Sequence, residues 1–508
     1  MTSPASLNFL RGTWPTPLLA SLGVLILSGC AGLPRPGATP LPAAPALASL
    51  APAQWQSPLP HGGDAQALSR WWQRFDDPLL APLISDAQRE SPTLAAATSR
   101  IAQAQAARVA AGAALGPQLD ATAAASRGRQ LLSTPISTTL SAGVQASWEL
   151  DLFGGQAAAR DAAQARLEGA QADWHDARVA VAAEVANSYI GLRTCEAVVL
   201  QNERDAGSRA ETARLTALSA QAGFQAPADA ALARASAAQA RSTLLAQQAS
   251  CAIELKALVA LTGVAEPALR SRLSASTARL PQPTEAGVGP SGSAASVPAQ
   301  ALAQRPDLLS AERALVAAAA DVSQSDAQRF PRIALSGNIA AARSSAAGFS
   351  SSGTVWSLGP LQLSLPLFDG GARRANVEAA RARYDEAAAS YRGRLRTAVR
   401  EVEEALVRLQ SAADRAGDVS TAAEGFEQAL RAAEARYKGG LASLFELEDA
   451  RRSAVAAQAG LVALQRERSL AWVQLYRALG GGWSADELPQ RLGGAAAPAA
   501  LTASAVAR

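Results

Sequence analysis

Apolar and polar residues alternate along one stretch of the chain, TLSAGVQASWELDLFGG (139–155). Leu140, Ala142, Val144, Ala146, Trp148, Leu150 and Leu152 take every second position, with Ser141, Gly143, Gln145, Ser147, Glu149 and Asp151 between them. Side chains alternate faces along a strand, so the pattern predicts a strand over about 139–152 with one oily and one wet face. Further strands are expected near 118–127, 332–343 and 354–367. In the last, Leu361, Leu363, Leu365 and Leu367 share a face, while Pro360 and Pro366 fall on the other and mark a bulge or strand end. A polar, Pro-containing loop, RGRQLLSTPIST (127–138), joins the first two strands.

Most of the remaining chain has the pattern of helix. One helix is expected over 78–115 and another over 156–219, a run without proline. At 1.5 Å per residue the latter spans roughly 95 Å, a length that belongs to a coiled coil, a bundle or a tube. QAGFQAP (221–227) reverses the chain, with Gly223 free to take positive φ and Pro227 suited to a first helical turn. A return helix runs to about 262. Helices over 304–329 and 370–437, the turn KGGLAS (438–443) and a return helix ending near 479 repeat this order.

The two halves correspond residue by residue. Pro92 and Pro306 lie 214 residues apart, as do Pro117 and Pro331. LFGG (152–155) matches LFDGG (367–371), Glu184-Val185 matches Glu401-Val402, and Gly223 matches Gly440. The chain therefore divides into an address and linker (1–29 and 30–70), two repeats (71–263 and 304–480), a Pro/Gly/Ser-rich connection (264–303) and an Ala-rich tail (481–508).

Composition narrows the chemistry. Apolar residues make up 49% of the 508, aromatics only 5%, and the net charge is +4. That charge is too small in so long a chain to argue for nucleic acid. Two histidines, His61 and His175, and three cysteines leave no metal cluster or nucleophilic triad, so neither an enzyme nor a cofactor is expected; His175 reads as a helix-surface residue. Near the N-terminus, Arg11 precedes the apolar run LLASLGVLIL (18–27), too short to span a bilayer. The tetrad LSGC (27–30) resembles the bacterial lipobox, whose cysteine becomes the lipid-bearing first residue of the mature chain. Cys30 is thus the expected lipidation site, and Ala31 permits export to the outer membrane by the same resemblance. Cys195 and Cys251 each lie 28 residues from Gly223, so an antiparallel hairpin brings them to one height. In an oxidising periplasm they are expected to form a disulfide; two small residues at helix-packing positions are the alternative.

Four strands cannot close a barrel, which takes about eight or more. Nor can open strand edges persist in lipid. The strands are therefore expected to join across copies, three chains giving twelve strands, with the oily face to lipid and Ser141, Gln145, Ser147 and Glu149 to the lumen. A soluble sandwich core is the alternative.

Several segments carry a resemblance. WWQRFDDPLLAPLISDAQRESPTLAAATSRI (71–101), SWELDLFGG (147–155), AEVANSYIGLR (183–193), RPDLLSAERAL (305–315), RFPRIALSG (329–337), SLPLFDGG (364–371) and ARYKGGLASLFELEDAR (435–451) resemble the outer membrane efflux proteins, the TolC-like family and its NodT-type lipoprotein branch. The resemblance implies a mainly α fold with a membrane β-barrel: a homotrimer with a twelve-stranded barrel on a periplasmic α-helical tunnel, girdled by an equatorial collar. It implies docking to a periplasmic adaptor and, through it, to an inner-membrane pump of the resistance–nodulation–division type. The docking tips are then the turns at Gly223-Phe224 and Gly440-Leu441. Aligning on Arg436-Tyr437 and Gly440 places a gate aspartate at Asp449 and its apolar partner at Phe445. These two are i and i+4 on one helix face. Alternatively, Asp449 simply pairs with Arg452 or Arg436 on a solvated helix. The first tip departs from the family pattern, with Ser219-Ala220 in place of the Arg-Tyr pair. A channel for exported small molecules is the expected function; a channel for secreted protein and a non-conducting coiled-coil scaffold are the alternatives.

Overall fold

A computed structural model describes residues 71–129, 135–276, 279–283 and 302–483. Cys30 and His61 lie outside the described residues, as do the linker before Trp71 and the tail after Trp483. After a short 3₁₀ turn at Trp71–Phe75 come α1 (Leu80–Glu90), α2 (Pro92–Ala113), β1 (Gln118–Gly128), β2 (Ser137–Leu150), α3 (Gly155–Gln221), α4 (Pro227–Thr262) and α5 (Glu266–Ala275). The second repeat supplies α6 (Pro306–Ala327), β3 (Arg332–Ala346), β4 (Phe349–Ser364), α7 (Ala372–Lys438) and α8 (Leu444–Ala478).

The elements fall into two compact units. One holds residues 115–158 and 323–377; the other holds the remaining described helices.

The first unit is a four-stranded antiparallel sheet of order β1-β2-β3-β4. β3 and β4 are longer than the sequence suggests, because Ala347 (φ 48°) and Gly348 (φ 85°) form a two-residue turn between Ala346 and Phe349. Positive φ at both central residues matches the right-handed twist of a hairpin. The flanking run, SSAAGFSSSG (344–353), is too small and polar to announce a strand. At the other end, β4 stops at Ser364 rather than 367, and β2 stops at Leu150 rather than 152. Pro366 lies beyond the end of β4 and can donate no ladder hydrogen bond. Leu152, Leu365 and Leu367 therefore do not belong to the strand faces. Asp151 instead accepts the backbone N–H groups of Gln156 (3.1 Å) and Ala157 (2.7 Å), starting α3. In the second repeat the extra residue of LFDGG, Asp369, takes over this role: it accepts from Gly371 and Arg373 at 3.0 Å and starts α7.

In the second unit the expected first helix divides in two. Ser91 is extended (φ −64°, ψ 119°) and its hydroxyl accepts from Leu94 N at 3.3 Å, capping α2. Pro92 causes the break, since the residue before proline avoids the helical region. The connection after 263 is not all loop: α5 lies within it and buries Leu269 and Leu273. The core gathers Trp71, Leu83, Val185, Tyr189, Leu258, Leu269, Leu308, Val402, Trp472 and Tyr476. Trp71 is fully buried, its ring centroid 4.9 Å from that of Trp472. Seven α-helices share this core, which anchors the middles of the two longest, α3 and α7.

His175 is a correction to the sequence reading. It is 2% exposed and stacks on Trp483 with centroids 4.2 Å apart. The cause lies in the GGGW segment (480–483). Gly480 (φ 87°) and Gly481 (φ 75°) turn the chain back where a Cβ on Gly481 would lie 2.3 Å from Val179. Trp483 then donates to Gln304 O at 2.7 Å and covers the histidine.

Candidate channel wall and helix tips

Strand register sorts the sheet into two chemically distinct faces. Ala121, Val144, Ile339 and Trp356 lie opposite one another, as do Ala123, Ala142, Ala341 and Thr354. The rows below hold Leu119, Ala146, Gly337 and Leu358, then Trp148, Leu335 and Leu361, then Leu150, Ile333 and Leu363. The other face carries Asp120, Thr122, Ser141, Gln145, Ser147, Glu149, Ser336, Asn338, Ser357 and Gln362. Leu358 and Leu361 are three apart, yet both lie on the oily face. Gly359-Pro360 together oppose the single residue Ser336, and this bulge restores the alternation.

The oily face is exposed: Trp356 is 73% accessible and Leu358 79%. From Ile333 to Ala341 its rows run about 27 Å along the strand, or about 20 Å vertically at the usual barrel tilt. Side chains at either end bring this near the ~25 Å apolar band of an outer-membrane barrel. β1 and β4 each pair on one side only. Their outer edges present unpaired N–H and C=O groups, which hydrocarbon does not tolerate.

The helix tips belong to the second unit. Gly223 (φ 79°) and Gly440 (φ 73°) take the left-handed conformation at equivalent turns. Phe224 is 85% exposed, and Leu441 and Phe445 are also exposed. Asp449 is exposed; its partner is Arg452 at 3.9 Å, a loose surface pair worth little by itself. The other two gate candidates serve the turn. Arg436 donates to Leu441 O at 3.3 Å, and the Tyr437 hydroxyl is 2.8 Å from that of Thr216. Ser443 and Glu446 cap α8 reciprocally.

Further from the tips the structure joins Cys195 on α3 to Cys251 on α4 in a disulfide, with Cα atoms 5.5 Å apart. Between disulfide and tip lies a polar network that sequence reasoning missed. Arg451 is 2% exposed and donates to Glu448 (2.7 Å), Ser208 (2.9 Å), Thr212 (3.3 Å) and Glu434 (3.4 Å). Arg209 pairs with Asp205 at 2.9 Å and with Glu448, which also accepts from Ser236 at 2.9 Å. This network ties both hairpins together, α3 and α4 on one side, α7 and α8 on the other. Nothing in a run of exposed-looking Arg and Glu residues announces it, because the partners that join the two hairpins lie more than 200 residues apart.

Towards the core a second buried arginine, Arg305, donates to Asp307 (2.9 Å), Glu401 (2.8 Å) and Ala478 O (2.9 Å). Burial opposes its charge, but the hydrogen bonds to Asp307 and Glu401 prevail and hold its pKa up. Tyr189 donates to Asp77 at 2.8 Å and accepts from Arg193 at 3.1 Å, while burial raises its phenol well above the ordinary value. These groups are fully partnered and lie among apolar residues; they hold the body together.

The sequence signature described as outer membrane efflux protein matches residues 83–264 and 297–481. The chain belongs to the outer membrane efflux protein family. It is an outer membrane efflux channel, not an enzyme, and its place is the outer membrane. Among its relatives are the pyoverdine export outer membrane protein OpmQ of Pseudomonas aeruginosa, 32% identical over 91% of this chain and 97% of that protein. Nodulation protein T of Rhizobium leguminosarum is 29% identical over 93% and 94%. The outer-membrane channel OprN superposes with a TM-score of 0.74 at 28% identity, covering 88% of this chain and 99% of that one. VceC of Vibrio cholerae gives 0.71 at 29%, covering 82% and 99%. In an efflux channel the sheet is the membrane wall, its oily face outward.

Proposed function

We propose that three copies close a single twelve-stranded wall, β4 of one chain pairing with β1 of the next, and that this channel passes small organic molecules across the outer membrane. The observation that carries the reading is a sheet with one oily face that ends in two unpaired edges. Two copies would give eight strands, an interior that side chains fill; three leave room for water. The relatives' printed roles, pyoverdine export and solvent efflux, favour small-molecule cargo. Lipid on Cys30 adds an anchor to that of the barrel. The exposed tips at Gly223-Phe224 and Gly440-Leu441 take a periplasmic adaptor, which couples the channel to an inner-membrane pump, probed first among resistance–nodulation–division pumps. Phe445 and Asp449 narrow the tip, where carboxylates from three copies select for cations.

Planar-bilayer recording of the purified protein tests the reading. Steady single-channel conductance is expected, with openings more frequent in Phe445→Ala and Asp449→Ala. Absence of conductance in wild type and in both variants would overturn it.

A further inference from the structure

The oily face of the sheet does not continue to the hairpin turns. Above the row of Ala123, Ala142, Ala341 and Thr354 comes one of Ala125, Leu140, Arg343 and Ser352, then one of Arg127, Thr138, Ser345 and Ser350. The apolar band thus ends in hydroxyls and two arginines, with Arg129 following just past β1. All three arginines are exposed. Among the described residues none of them pairs with a carboxylate. The acids of the strands, Asp120 and Glu149, lie on the opposite face near the helix-connected ends. The oily face thus carries only cations, at the hairpin end, while both acids lie with Arg332 on the other face at the helix-connected end.

We propose that Arg127, Arg129 and Arg343 form a cationic collar that binds the phosphates of outer-leaflet lipid headgroups. The inference rests on the channel reading, which turns this face to lipid and puts the hairpin end at the outer surface. Arg127 and Arg343 lie two strands and two residues apart, about 10 Å across and about 7 Å along the sheet. Guanidinium forks at that spacing can engage separate phosphates on one headgroup or on neighbouring ones. Thr138, Ser345, Ser350 and Ser352 fill the rows between them and offer hydroxyl donors. A lipid headgroup rather than free phosphate is the occupant, because the collar is continuous with the apolar band that would take the acyl chains.

The test is a lipid titration of full-length protein in detergent, read by native mass spectrometry. The probes are bisphosphorylated lipid A and the same lipid stripped of both phosphates. Wild type is expected to retain the phosphorylated lipid far better. Each arginine contributes about fivefold near an anionic surface, so R127Q/R129Q/R343Q loses about a hundredfold. R127K/R129K/R343K keeps the charge and stays within about tenfold of wild type. Inorganic phosphate leaves the bound lipid in place; displacement by it would contradict a headgroup site. Equal retention of the two lipids by wild type would overturn the collar without recourse to any variant, as would unchanged affinity in the glutamine variant. Conductance in phosphatidylcholine bilayers is read in parallel. Its absence from wild type and from both tip variants counts against the channel, whereas a conducting glutamine variant with unchanged lipid affinity counts against the collar alone.

Discussion

The two helical hairpins are copies of one unit, yet only the first is closed by a covalent bond. The first, α3 and α4, closes on itself through Cys195–Cys251. The second, α7 and α8, has no cysteine and is fastened outward, through Arg451, Glu434 and Glu448, onto Ser208, Arg209 and Thr212 of the first. One is a covalently stapled strut; the other leans on it through a buried polar clasp. A duplicated unit can thus diverge in what fixes it while keeping its backbone plan. The hairpin without a staple also carries Phe445 and Asp449, so loosening its clasp is expected to free it more than the first.

That contrast can be broken from either side. Replacing Cys195 and Cys251 by alanine releases a loop closed over 56 residues and is expected to cost about 4 kcal/mol by the chain-entropy relation, read as a drop in the denaturation midpoint of the non-reduced protein. Intact-mass analysis of wild type should find no free thiol at either position. Arg451→Met removes one partner from a buried cluster and leaves Glu448 and Glu434 less compensated, at a cost of about 3 kcal/mol. Its effect should centre on α7 and α8, as faster hydrogen exchange and more frequent channel openings. Equal loosening of α3 and α4 would erase the distinction between staple and clasp. Ser443→Ala breaks the α8 capping box and is expected to cost about 1 kcal/mol, with fraying confined to the second tip. The smallest effect is at the start of α7. The backbone N–H of Arg373, followed by that of Gly371, lowers the Asp369 carboxyl below its ordinary 3.8. A lowered carboxyl lends its stability above 3.8 and loses it as pH falls through the folded-state value. Protection of the first turn of α7 should therefore fade in acid in wild type, and the fading should be absent in Asp369→Asn.

Much of this plan is legible in the chain because local rules write it. Alternation fixed the faces of β2, the Pro92/Pro306 and Gly223/Gly440 spacings exposed the duplication, and equal distance from Gly223 aligned the two cysteines. What stayed hidden depends on partners far away in sequence. His175 reads as a surface residue until Trp483 folds over it. No local pattern marks Arg451 or Arg305 for burial, since helices from both halves enclose them. The β3–β4 hairpin is written in serine, alanine and glycine, whose weak strand preference is overridden by pairing with β2.

The central claim is that the unpaired edges of β1 and β4 meet across three chains. The mass of the detergent-solubilised native complex tests this most directly. Three chains, persisting on dilution and together conducting, is the result the account predicts. A stable single chain, or a complex of two, would contradict it.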